Sequence, residues 1–70
     1  MNVNWEDGFS IRVKAEAGCA LISANRAGLR SLAGLLLALA EEKAPGSHIH
    51  LDAYNALEDG SDELILEKLE

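Results

Sequence analysis

Across residues 25–43, NRAGLRSLAGLLLALAEEK, apolar positions recur at helical spacing. Leu29, Leu32, Ala33, Leu36, Leu39 and Ala40 share one side of the predicted helix, and the rest of the chain reads as strands laid against that side. Asn25 suits the N-cap, because its side-chain oxygen accepts a hydrogen bond from an otherwise unpaired N–H of the first turn. Pro45 disfavours helical geometry at Ala44, which predicts an end near Lys43. Leu35 and Leu37 at the flanks broaden the apolar arc to about 200°, well beyond the roughly 100° stripe that packing on one sheet needs. A curled sheet or a partner is expected to cover the surplus. Gly28 and Gly34 each cost roughly 1 kcal/mol relative to Ala inside a helix. A close approach to strand backbone accounts for Gly28 better than for Gly34, which projects to the polar side.

On either side of this segment the period becomes two. Residues 9–15 alternate, with Phe9, Ile11, Val13 and Ala15 on one side and Ser10, Arg12 and Lys14 on the other, the pattern of a half-buried strand. Gly18 permits a reversal near Glu16-Ala17. The apolar run over residues 19–24 then completes a β-hairpin, with the second strand covered on more than one side or in mid-sheet. After the Pro45-Gly46 turn, residues 47–52 alternate again, Ile49 and Leu51 inward and His48, His50 and Asp52 outward. Residues 53–62, AYNALEDGSD, form a polar connection, long for a hairpin and therefore a candidate binding loop. Residues 63–69 read as a fourth strand whose apolar centre points to an interior position. The order is ββαββ and the class α+β. The expected architecture is a single domain over residues 1–70, with one four-stranded mixed sheet and a single long helix packed on one face. The helix connecting them makes the second and third strands parallel, with a right-handed crossover expected.

A chain of 70 residues, 49% hydrophobic and 4% aromatic, builds a modest core of Leu, Ile, Val and Ala. That modesty and the wide helical arc together predict a homodimer, with Leu35 or Leu37 in or beside the contact. The single Cys19 excludes an internal disulfide, and no apolar run approaches the ~20 residues of a membrane span. The first residues lack the basic start and apolar segment of a secretory signal, so the expected location is cytoplasmic.

Charge placement changes the picture more than composition does. Of the formal net charge of -6, residues 1–40 carry four basic against three acidic side chains, a balance of +1, and residues 41–70 carry two against nine, a balance of -7. Nucleic acid and anionic membrane are thereby not expected as partners; the acidic half reads either as a surface toward which a basic protein is steered or as a solvated face that keeps the protein soluble. Within the helix the charges run against the macrodipole, with Arg26 and Arg30 at its positive end and Glu41 and Glu42 at its negative end. Each is disfavoured by roughly 0.3 to 1 kcal/mol when exposed, and pairing with charges on neighbouring strands is the expected compensation.

Candidate chemistry is sparse. The H-x-H spacing of His48 and His50 points both imidazoles to one side of a strand, with Asp52 following, a donor set that zinc accepts. Outward histidines on an open sheet are common without metal, and polar packing or partner contact is the better account. No nucleophile has an oriented base, and there is no phosphate loop and no basic patch interleaved with aromatics. The chain is expected to be neither an enzyme nor a binder of metal or cofactor. Trp5 and Tyr54 are the aromatics expected nearest the surface, Tyr54 as an interface anchor and Trp5 equally as a cover for the core edge.

Taken in order and spacing, SANRAGLRSL, PGSHIHLD, YNALEDGS and ELILEK resemble the thirty-second immunity-protein family of bacterial polymorphic toxin systems. The resemblance covers roughly residues 21–68 and is most specific where H-I-H-L-D is followed by L-E-D-G-S and E-L-I-L-E. It implies a stoichiometric, non-catalytic inhibitor that binds a toxin domain in the cytoplasm of the cell that makes it. The candidate partner-binding residues are His48, His50, Asp52, Tyr54, Glu58, Asp59, Asp62 and Glu63. A small structural or regulatory homodimer without a toxin partner is the rival reading.

Overall fold

The computed structural model describes residues 3–70. Its elements are β1 (Ile11–Glu16), β2 (Cys19–Ala24), α1 (Arg26–Ala40), β3 (His48–Leu51) and β4 (Leu64–Glu67). The α+β class and the ββαββ order are those expected. Glu16 pairs with Cys19 across a two-residue turn in which both Ala17 (φ 51) and Gly18 (φ 78) are left-handed, the turn whose twist matches an antiparallel hairpin.

The single mixed sheet is replaced by two antiparallel two-stranded sheets, β1–β2 and β3–β4, so β2 and β3 are not parallel neighbours. The physical reason lies at the outer edge of β1. There the polar segment 58–62 occupies the place of a strand: the N–H groups of Glu58 and Asp62 donate to the carbonyls of Ile11 and Val13 (2.9 and 2.8 Å). In return the N–H groups of Val13 and Ala15 donate to Ser61 Oγ and Asp62 Oδ2 (3.2 and 2.7 Å). Side-chain oxygens thus stand in for half of the ladder, which protects the edge of β1 and keeps β3 and β4 from pairing there. Two expectations of burial fail with the single sheet. Among the described residues, β2 is an exposed edge strand with no strand neighbour but β1, and β4 pairs with β3 alone, leaving Ile65 exposed.

The helix also differs in phase. Gly28, Ser31, Leu32, Leu35 and Leu39 are its buried residues. Leu35, expected at a flank, is 1% exposed at the centre of the core, and Leu36, expected at the centre, is 49% exposed. Closest approach sets this phase. A Cβ at Gly28 would overlap the Ser10 carbonyl oxygen and lie 2.9 Å from Ile11 Cγ1, so the helix backbone rests directly on the hairpin there. A Cβ at Gly34 would meet nothing within 4 Å beyond the helix's own backbone among the described residues. The core unites Ile11, Val13, Leu32, Leu35, Leu51 and Leu57, with Trp5 and Phe9 packed on its margin and stacked at 4.9 Å between ring centroids. Trp5 therefore covers the core edge. The wide arc produces exposure rather than a curled sheet: Leu29, Leu36 and Leu37 face outward.

Asn25 caps the helix as expected, its Oδ1 accepting from Gly28 N–H (2.8 Å) and from Ser10 N–H (3.0 Å). The helix stops at Ala40, short of Lys43, with Glu41 as C-cap donating to both Leu37 and Ala38 carbonyls. Arg30 pairs with Glu6 of the N-terminal segment at 2.8 Å, so its compensation comes from a loop and not from a strand. Being largely exposed, that pair contributes at most about 1 kcal/mol. Ser31 completes the attachment of the same segment, accepting from Glu6 N–H (2.9 Å) while donating to Ala27 O (2.8 Å).

Candidate functional site

The outward side of the β3–β4 sheet follows from strand alternation. Ile49, Leu51, Leu64 and Leu66 turn to the core side, which leaves His48 opposite Glu67 and His50 opposite Ile65 on the other. The two imidazoles meet edge to face with centroids 5.1 Å apart. His48 Nδ1 lies 2.9 Å from the Gly46 carbonyl, and His50 Nδ1 lies 3.3 Å from Glu63 Oε2, an ion pair when the ring is protonated. Among the described residues, no group of three or more His, Cys, Asp or Glu is placed to hold a metal ion, and no pocket is found. The surface is therefore a relief of side chains rather than a cleft.

Beyond β3 the chain folds into a tight turn built by two short polar side chains. Asp52 Oδ1 accepts from the N–H groups of Tyr54 (2.9 Å) and Asn55 (3.1 Å). Asn55 answers with its own amide, Oδ1 accepting from Asp52 N–H (2.9 Å) and Nδ2 donating to the His50 carbonyl (2.8 Å). Buried Leu57 anchors the far end. Between these fixed points Tyr54 stands 99% exposed, a large ring held in water by a turn whose backbone Asp52 and Asn55 tie down. Asn55 was not among the residues singled out from the sequence. The D-x-x-N spacing of Asp52 and Asn55 is the signal that could have found it, because both types form turns by bonding nearby backbone.

The acidic segment that follows is sewn onto β1. Ser10 Oγ donates to Glu58 Oε1 (2.6 Å), Arg12 donates to the Asp59 carbonyl (3.4 Å), and Lys14 Nζ donates to the Gly60 carbonyl (2.6 Å). The eight candidate residues thus divide by what their side chains already do. Asp52, Glu58 and Asp62 hold the fold, while His50 and Glu63 hold each other. The Tyr54 hydroxyl and the Asp59 carboxylate have no hydrogen-bond partner among the described residues, and the one side-chain hydrogen bond of His48 there is to backbone. These three are the groups in the set most available to another molecule.

A family model described as Immunity protein 32 matches residues 20–69, a span that takes in β2, α1, β3, the turn carrying Tyr54, the acidic segment and β4. No curated protein and no solved structure shows a significant match to the chain.

Proposed function

The chain belongs to the Immunity protein 32 family, and from that membership we propose that it neutralises a toxin domain by binding it one to one in the cytoplasm of the producing cell, without catalysis. The binding surface is the outward side of β3, the turn after it and the acidic segment, from His48 to Glu63. One observation carries this placement: Tyr54, 99% exposed, rests on a turn whose backbone is fixed by Asp52 and Asn55. A tyrosine loses little conformational freedom on binding and contributes a large apolar face with one polar tip, which is why such residues recur as interface anchors. Rigidity beneath it reduces the ordering cost of association.

The acids divide into two roles. Asp59 and Glu58 lie on the rim and contribute field as part of the -7 balance of residues 41–70 that steers a basic partner into place. Asp52 acts through Tyr54, since losing its carboxylate frees the turn. The test measures association and dissociation rates of variants against the toxin domain encoded beside the gene. Neutralising Asp59 with Glu58→Gln slows association and flattens its salt dependence, whereas Tyr54→Ala and Asp52→Ala speed dissociation. Unchanged rates in all of these variants would move the site elsewhere on the chain.

A further inference from the structure

Among the described residues, the outer edge of β2 is the longest strand edge left open. Its free groups follow from the other side of the hairpin. Because the backbone of Ile11, Val13 and Ala15 bonds outward to residues 58–62, those positions are not hydrogen-bonded to β2. Their register partners Ala24, Ile22 and Ala20 must then also point their N–H and C=O groups away from β1. Among the described residues, nothing bonds to the N–H or C=O of Ala20 or Ile22. None of the usual protections is present either: residues 17–24, AGCALISA, contain no charge, no proline and no bulge opposite β1. Leu21 and Ile22, on opposite sides of the strand, are 56% and 42% exposed.

We propose that this edge receives the β2 strand of a second copy of the chain, antiparallel about a two-fold axis, so that two hairpins join into one four-stranded sheet. Three observations select a second copy as the occupant. The acids that give the chain its charge of -6 are concentrated after residue 40, and Glu58, Asp59 and Asp62 line the opposite edge of the hairpin. Two copies meeting at the uncharged β2 edge therefore bring their acidic segments no closer than the width of the hairpins. A strand is also complementary to its own antiparallel copy; the parity of the free groups puts a residue on the axis, and the greatest overlap of the two strands selects Leu21 or Ile22. Finally, the sheet of β1 and β2 has two strands, and pairing of two copies extends it to four. The contact leaves Tyr54 and β3 uncovered, so it stands independently of toxin binding.

Sedimentation of the whole chain from about 1 µM to about 1 mM tests the proposal. Parent protein is expected to pass from monomer to dimer. Ala20→Pro removes only an outward N–H and leaves the β1 ladder intact, and Leu21→Lys places a charge beside the axis. Each raises the dissociation constant about tenfold or more, with an unchanged far-UV spectrum. Should Ala20→Pro fail to fold, Leu21→Lys decides alone. A parent that stays monomeric throughout overturns the proposal, including the case in which a strand of a different protein takes the edge. So does a dimer abolished by Leu37→Lys but untouched by the β2 variants, which would place the contact on the helix.

Discussion

Adding one methyl group at each of two helix glycines separates the account of how α1 sits from any that relies on periodicity alone. In an exposed helix interior, Gly→Ala stabilises by about 1 kcal/mol through the reduced entropy of the unfolded chain and better helix propensity. At Gly34 nothing lies within 4 Å of the new Cβ, so the whole gain is realised. For a domain of this size it raises the melting temperature by about 4 to 8 °C. At Gly28 the same gain is opposed. The new Cβ overlaps the Ser10 carbonyl oxygen and presses on Ile11 Cγ1 at 2.9 Å and on Ala24 Cβ at 3.1 Å. That carbonyl accepts from Asn25 N–H, so it cannot swing aside without loosening the residue that caps the helix. Overpacking of this kind costs about 1 to 3 kcal/mol, toward the upper end where backbone must move. The net result is a loss of about 2 kcal/mol and a fall in melting temperature of about 8 to 16 °C. Thermal unfolding followed by far-UV circular dichroism measures both variants against the parent. A Gly28→Ala protein that melts at or above its parent would show that the helix does not rest on the hairpin backbone at this point.

Other substitutions probe other parts of the structure. Leu35→Ala should cost about 2 to 5 kcal/mol, enough to unfold much of the population, while Leu36→Ala should cost under about 1 kcal/mol; urea titration of the two distinguishes the observed phase of the helix from its alternative. Ala17→Gly should stabilise by about 0.5 to 1 kcal/mol, because Ala17 sits at φ 51 where a Cβ is strained, and a lower midpoint in urea would refute the turn geometry. Tyr54→Ala should leave the melting temperature unchanged and weaken toxin binding by about 2 kcal/mol or more, read by calorimetry on the purified pair.

Strand positions and caps were legible in the sequence because they depend on local signals: alternation over residues 9–15 and 47–52, Gly18 at the hairpin turn, and Asn25 before the helix. The helix phase was not. Leucine and alanine lie on so many sides of α1 that hydropathy supports two phases, and the residues that decide between them, Gly28 and Ser31, carry almost no hydropathic weight. Gly28 matters because it is small where the backbone of Ser10 comes close, and Ser31 because its buried hydroxyl holds the Glu6 N–H, and only the tertiary contacts show either. Sheet continuity was hidden for a related reason, since the edge of β1 is completed by Ser61 and Asp62 side chains in a segment that reads as loop. For the candidate surface, the sequence singled out Tyr54 and the acids. It did not distinguish acids that hold the fold, such as Asp52 and Asp62, from Asp59, whose carboxylate is free among the described residues.

The most direct test of the function is a titration of the neighbouring toxin domain's activity with the purified chain. One-to-one neutralisation predicts a linear fall in activity that ends at a single equivalent of binding sites, with Tyr54→Ala shifting the curve to higher concentration and leaving its shape saturable. Undiminished toxin activity at many equivalents would contradict the account, and so would complete loss of activity at a small fraction of one equivalent, the behaviour of a catalyst.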